Sequence, residues 1–301
     1  MVNANTTLTK FVPWIFVFLW STGFVAAKYV HPYAGPFSFL TIRYVLAAAV
    51  LAVIALVQGR KFTLTRTQLW HQALVAFLLH FIYIGGVFYA IHLGVSAGIT
   101  SVIVSMQPVF VSLLAIPMLG ERFKFIEVVG LALGIIGVAL LLIPKMFEGD
   151  IALQFSTVGI VASVIALMGT TLGYIVQKKT GDNIDFVTGT GVQYSVTAIL
   201  FLFTEILFGE NFAIQWTPQF FGGLFWSAIV LSIGSIFLLY SLLRQGSASS
   251  VSSLYYLVPP FAAIQAYLLF GEVIPVIGIV GMALAGLGVM LVMRETSSDG
   301  H

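Results

Sequence analysis

The hydrophobic positions of this chain fall into ten runs, near residues 11–30, 37–58, 69–92, 97–119, 125–144, 157–178, 186–208, 218–243, 248–270 and 274–293. Each is close to the roughly 20 residues that a helix needs to cross the hydrocarbon of a bilayer. The connectors between them are short and carry Gly, Pro or charge. No run alternates apolar and polar residues with the period of a membrane β-barrel strand. A helix satisfies its backbone groups within its own segment, so the pattern predicts an all-α membrane protein of ten transmembrane helices.

The pattern also repeats. Ser96 to Glu121 reads SAGITSVIVSMQPVFVSLLAIPMLGE, and Ser247 to Glu272 reads SASSVSSLYYLVPPFAAIQAYLLFGE. At this offset of 151 residues Ser96 pairs with Ser247, Pro108 with Pro259, Gly120 with Gly271 and Glu121 with Glu272, without a gap. The register extends to Tyr89/Tyr240, Gly130/Gly281 and Gly137/Gly288. Two copies of one unit are expected, 1–150 with helices one to five and 151–301 with helices six to ten. The first run resembles a secretory leader, with Lys10 before it and Val25-Ala26-Ala27 as a cleavage site. It is read as a retained helix, because Lys28 at its end pairs with Lys179 at the end of the sixth run.

Composition and charge sharpen this picture. Hydrophobic residues make up 59% of the 301 positions and charged residues only 8%, against about 25% charged in a soluble domain. The net charge of +2 gives no reason to expect nucleic acid as a partner. Cysteine is absent, which excludes disulfides and thiolate chemistry, and the five histidines show no metal-ligand spacing. No metal or other cofactor is expected. With the N-terminus in the cytoplasm, Lys10, Arg60, Lys61, Arg66, Arg122, Lys124, Lys178, Lys179, Arg244 and Arg294 lie inside, and only Lys28 and Lys145 lie outside. That bias sets both termini in the cytoplasm. Five helices per copy is an odd number, so the copies become inverted repeats, an architecture in which transporters bind substrate near the midplane.

The fourth-helix signature of Ser-Ala, a mid-helix Pro and a terminal Gly-Glu occurs twice, as Ser96-Ala97, Pro108, Gly120-Glu121 and Ser247-Ala248, Pro259, Gly271-Glu272. With Trp20-Ser21-Thr22-Gly23-Phe24 in the first helix and Arg43 in the second, the chain resembles the drug/metabolite transporter superfamily, EamA type. The resemblance covers nearly the whole chain. It implies a ten-helix secondary transporter in the cell inner membrane, exporting small metabolites by alternating access through a cavity between the repeats. Among relatives, the YddG-like aromatic amino-acid exporters are the neighbours it suggests, with amino acids as substrates. A carrier of phosphorylated or nucleotide-linked sugars is the alternative, but it would want several inward-facing cations where only Arg43 is deep.

Candidate residues follow from depth and chemistry. His80 and Tyr83 share a face of the third helix near its middle, and an ionisable group there points to function. The bland alternative is a neutral histidine hydrogen-bonded inside the bundle. Arg43 can snorkel outward or turn inward to hold a carboxylate. Trp20, Tyr89, Gln107, Tyr174, Gln177, Tyr240 and Tyr255 are candidates to line an apolar cavity with a few polar anchors. Tyr44, Gln193, Tyr194, Tyr256 and Gln265 also lie within the runs but are not singled out. Pro108 and Pro259 bend their helices, as packing kinks or as gates. Glu121 and Glu272 end their runs and are read as structural. Gly94-Val95-Ser96-Ala97-Gly98 spells the pattern of a serine nucleophile elbow, but it joins two membrane helices and has no acidic partner nearby. It is read as a turn with Ser96 as helix cap, and no enzyme activity is expected. Gly130-x-x-x-Gly134 permits close helix approach, within a monomer or across a homodimer. No Asp or Glu falls mid-run, which disfavours an organic-cation carrier.

Overall fold

The computed structural model describes residues 6–60, 63–95, 97–120, 124–147, 156–182, 184–270 and 276–298. These form ten helical rods and no strand. They are α1 (Thr6–Val30), α2 (Pro36–Val57), α3 (Arg66–His92), α4 (97–119), α5 (Phe125–Phe147), α6 (Thr157–Thr180), α7 (Phe186–Phe208), α8 (Pro218–Gln245), α9 (248–270) and α10 (Val276–Ser298). Among the described residues, seven of the rods are long and apolar enough to cross a membrane. Shorter apolar stretches lie in α5 and α10, at Phe125–Leu140 and Val276–Val292.

Local chemistry sets where the rods begin. Thr65, Ser156, Asp185, Thr217 and Ser247 each cap a helix by accepting a backbone N–H three residues on. The start of α2 is capped from a distance. Pro36 follows Gly35, and the carboxylate of Glu210 accepts the N–H groups of Phe37 at 3.2 Å and Ser38 at 2.7 Å. A negative charge suits the helix start, where the free N–H groups point outward. At the other end of the bundle, Lys178 donates to the carbonyls of Leu243 and Gly246, which terminate α8. Arg244 donates to the carbonyls of Gly181 and Ile184 after α6. Arg60 pairs with Asp185 at the surface of this same basic end.

Two rods are irregular where the sequence leads one to look. The α4 helix breaks at Met106 and resumes at Gln107 with Pro108 in its first turn. The α9 helix passes through a tighter 3-10 turn at Leu254–Leu257 before Pro259 and Pro260. In both, the break precedes the proline, whose ring cannot accept the preceding turn and whose nitrogen has no proton to donate. Another irregularity was not anticipated. The α3 and α8 helices widen into π turns at Ala76–Ile82 and Trp226–Ser235. At the 151-residue offset these two stretches occupy almost the same register.

Packing pairs recur at the same offset. The α3 rod lies on α6 and α8 lies on α1; α4 lies on α6 and α9 lies on α1; α2 crosses α7, and α5 crosses α10. The α5–α10 contact is the closest. A methyl at Gly137 would stand 2.5 Å from the carbonyl oxygen of Gly281 and the nitrogen of Ala285. One at Gly288 would stand 2.5 Å from the carbonyl oxygen of Gly130, and Gly134 lies under the ring of Tyr256. The small-residue stripe is therefore used between helices of one chain.

Backbone atoms cannot move aside as a flexible side chain can, so Gly137→Ala is expected to destabilise the bundle. Overpacking of this kind costs about 1–3 kcal/mol. Gly222→Ala is the control, since its methyl would meet nothing within 4 Å. Thermal unfolding in detergent should show a lower midpoint for Gly137→Ala and none of that loss for Gly222→Ala. Equal midpoints would refute the backbone contact.

Candidate functional site

A cavity lies within the bundle, walled by α1, α2, α3, α7 and α8. Trp20 and Phe24 come from α1, Arg43 and Tyr44 from α2, and His80, Tyr83 and Phe88 from α3. Tyr194 comes from α7, and Leu231, Ser232 and Ser235 from α8. The two π stretches supply His80 on one side and the serines on the other. A π turn removes the regular bonding partner one turn back and is common at functional sites. Within the α8 stretch the hydroxyls turn back along the helix: Ser232 donates to the carbonyl of Ser227 at 2.9 Å, and Ser235 reaches that of Val230 at 3.5 Å, each five residues back.

Arg43 is only 5% exposed. Its Nε donates to Ser232 Oγ at 2.9 Å, and its guanidinium carbon lies 5.4 Å from the centre of the Tyr44 ring. Its two terminal nitrogens make no hydrogen bond to described residues. Tyr194 donates its hydroxyl proton to the Ser232 carbonyl. Arg43 and Tyr194 hold equivalent places at the repeat offset, so one serine receives both.

Aromatic rings make the rest of the wall. Trp20 and Tyr83 stack with centroids 6.3 Å apart, and the indole N–H donates to the Tyr83 hydroxyl at 3.2 Å. Tyr194 and His80 both present edges to their neighbours, with His80 5.0 Å from Tyr194 and 5.8 Å from Tyr44.

Towards the basic end, the cavity floor is a polar cluster centred on Gln193. Its amide nitrogen donates to the side-chain oxygens of Gln72 at 2.6 Å and Gln177 at 3.2 Å. Its oxygen accepts the hydroxyl of Tyr240 at 2.7 Å and meets His80 Nε2 at 3.0 Å. A carboxamide has two donors and two acceptor sites, and all four are filled. Towards the other end the barrier is apolar. Phe88 faces both the central cavity and a smaller one lined by His31, Phe39 and Ile91. At that cavity the ring of His31 also meets that of His92 edge to face, 5.2 Å apart. Partial burial, and then the charge of His92, pushes His31 below its ordinary value.

Of the residues singled out from sequence, Trp20, Arg43, His80 and Tyr83 line the central cavity. Gln177 and Tyr240 belong to the cluster beneath it. Tyr255 packs behind Trp20 at 5.6 Å, and Tyr174 behind Tyr255 at 6.0 Å. Tyr89 lies apart, stacked on Phe37 at 5.4 Å. Gln107 is fully buried, and neither atom of its amide has a partner among the described residues. Glu121, Glu272 and Ser96 lie outside the described residues. Tyr44, Gln72, Gln193, Tyr194, Ser232 and Ser235 were not singled out. One signal could have found Tyr194, namely carrying Arg43 across the repeat. The serines were hidden because nothing in a linear pattern announces a π turn.

Comparison with known proteins places this geometry. The EamA-like transporter family matches residues 12–143 and again 157–294. An uncharacterized transporter, YvbV, from Bacillus subtilis is 29% identical over 99% of this chain and 96% of its own length. A probable terminal-alkyne amino-acid exporter from Streptantibioticus cattleyicolor is 31% identical over 67% of this chain and 66% of its own. One solved crystal structure shares the fold, with a TM-score of 0.76 at 17% identity, covering 96% of this chain and 98% of that one. The relatives are named as transporters, not enzymes, and with two matches along its length this multi-pass membrane chain belongs to the EamA-like transporter family.

Proposed function

We propose that this protein is a secondary transporter of the cell inner membrane that exports small metabolites carrying a carboxylate, amino acids and aromatic ones among them, by alternating access through the central cavity. The observation that carries the substrate class is Arg43. It is the only Lys, Arg, Asp or Glu among the described residues lining the cavity, and its terminal nitrogens are uncommitted. A guanidinium at this depth is costly unless something anionic or polar meets it. The aromatic walls suit an apolar substrate body. The name of the Streptantibioticus relative supports amino acids as a class.

In this reading the ten rods all span the bilayer, as two inverted repeats of 1–150 and 151–301, with both termini cytoplasmic. The packing pairs and π stretches that recur at the 151-residue offset support the repeat. The gathering of Arg60, Lys178 and Arg244 at one end supports the orientation. The Gln193 cluster then closes the cytoplasmic side, and Phe88 is the thinner barrier outward. A monomer fits the α5–α10 stripe, which is already occupied within the chain.

Three outcomes are expected. In this cysteine-free chain, Asp150→Cys should react with an impermeant maleimide added outside intact cells; reaction from the cytoplasmic side alone would overturn the inverted repeat. In proteoliposomes, Arg43→Gln should raise the KM for amino acids by roughly tenfold or more, the scale of a lost charge-assisted pair. It should spare their esters; equal loss for both classes would make Arg43 structural. Third, among the described residues no carboxylate faces the cavity, and His80 is held to Gln193. An imposed pH gradient should therefore not drive substrate uphill. Uphill accumulation that vanishes in His80→Gln would make His80 a proton carrier instead.

A further inference from the structure

An amino acid held by its carboxylate at Arg43 must also place an ammonium in the same cavity. We propose that this cavity reads the carboxylate and not the ammonium, so that its best substrates are monocarboxylates with an aromatic body and no amino group. The inference rests on the Arg43 anchor proposed above.

Charge is the first ground. The cavity wall contributes one fixed cation and, among the described residues, no anion. The two carboxylates most deeply buried among those residues are engaged elsewhere. Glu205 accepts the backbone N–H of Phe212 at 2.7 Å, and Glu127 accepts that of Lys124 at 2.9 Å. A monocarboxylate at Arg43 leaves the site neutral. A zwitterion leaves a second cation near the guanidinium, stripped of water and facing no counter-charge.

Hydrogen-bond direction is the second. Of the groups that act towards the cavity, the terminal nitrogens of Arg43 only donate, and the hydroxyls of Tyr44 and Tyr83 can donate as well as accept, that of Tyr83 already accepting the Trp20 N–H. Ser232 and Ser235 have turned their protons onto carbonyls of the π stretch, and Ser232 Oγ already receives Arg43. The acceptors that remain are neutral oxygens and the imidazole.

The third ground is the aromatic wall. Ring faces could hold an ammonium in place of a carboxylate, but those of Trp20 and Tyr44 are already engaged. The Trp20 ring is stacked on Tyr83 and is flanked by Phe16 at 5.1 Å and Tyr255 at 5.6 Å. The Tyr44 ring already carries Arg43, and Tyr194 stands edge-on to it at 5.1 Å.

Three compounds of one skeleton test this: 3-phenylpropionate has the carboxylate alone, L-phenylalanine has both groups, and phenethylamine has the ammonium alone. Equilibrium binding of each to the purified protein in nanodiscs, with empty nanodiscs subtracted, gives the ranking. The acid should bind at least about tenfold tighter than phenylalanine, the scale of one uncompensated charge, and the amine should not bind. Arg43→Gln should abolish binding of the acid and erase the gap. The wild-type ranking decides the matter even if that variant folds poorly. Phenylalanine binding as tightly as the acid, with no binding of the amine, would overturn this inference and leave the Arg43 anchor standing. Tightest binding by the amine, or no binding by any of the three, would overturn both.

Discussion

Gln193 carries the constraint on which the interior depends. In a bundle surrounded by lipid, a buried polar group cannot turn to water and must find its partner within the protein. Gln193 meets this fully, and its four partners come from α3, α6 and α8 while it sits itself on α7. One carboxamide thus ties four helices together beneath the cavity. Each partner orphaned by its loss would carry a penalty of about 1–3 kcal/mol. Such a cluster is rigid while closed, yet any state that lets water in can satisfy the same groups. That is the property a gate requires, and an apolar plug lacks it.

The π stretches explain how the cavity above Gln193 exists at all. Close-packed helices leave few voids larger than a water molecule. Widening the turns of α3 and α8 shifts the side chains that follow. Ser232 and Ser235 donate back to carbonyls of their own stretch, which leaves the oxygen of Ser232 to receive Arg43. Positioning of the guanidinium therefore depends on an irregular backbone in a different helix.

The repeat supplies a frame, and substitution within it supplies the chemistry. Arg43 and Tyr194 are equivalent positions with different side chains, and they converge on one residue, Ser232. His80 has Leu231 opposite it in register, and Trp20 has Thr171. Similar backbones thus enclose a cavity whose first-half side carries Arg43, His80 and Trp20 and whose second-half side carries Tyr194, Leu231 and two serines. The α5–α10 pair shows the reverse case. There glycines are kept in both copies because backbone meets backbone, and any side chain would intrude.

The chain by itself determined the helical class and the internal repeat of its sequence with its offset, and it pointed to Arg43 and His80, both of which are buried. Length, hydrophobicity and register are linear properties, and a bilayer enforces them segment by segment. It marked Gly130 and Gly134 as a close approach but could not choose between a neighbour in the same chain and another copy. Only the tertiary structure decided that α10 fills that groove. It also decided that Tyr89 faces Phe37 rather than the cavity, and that Gln193 outranks Gln107 as a polar centre. The physical reason is common to these cases. Which face of an apolar helix turns inward depends on the partners that wait there. In a chain with polar and aromatic residues on many faces, periodicity does not single out one of them.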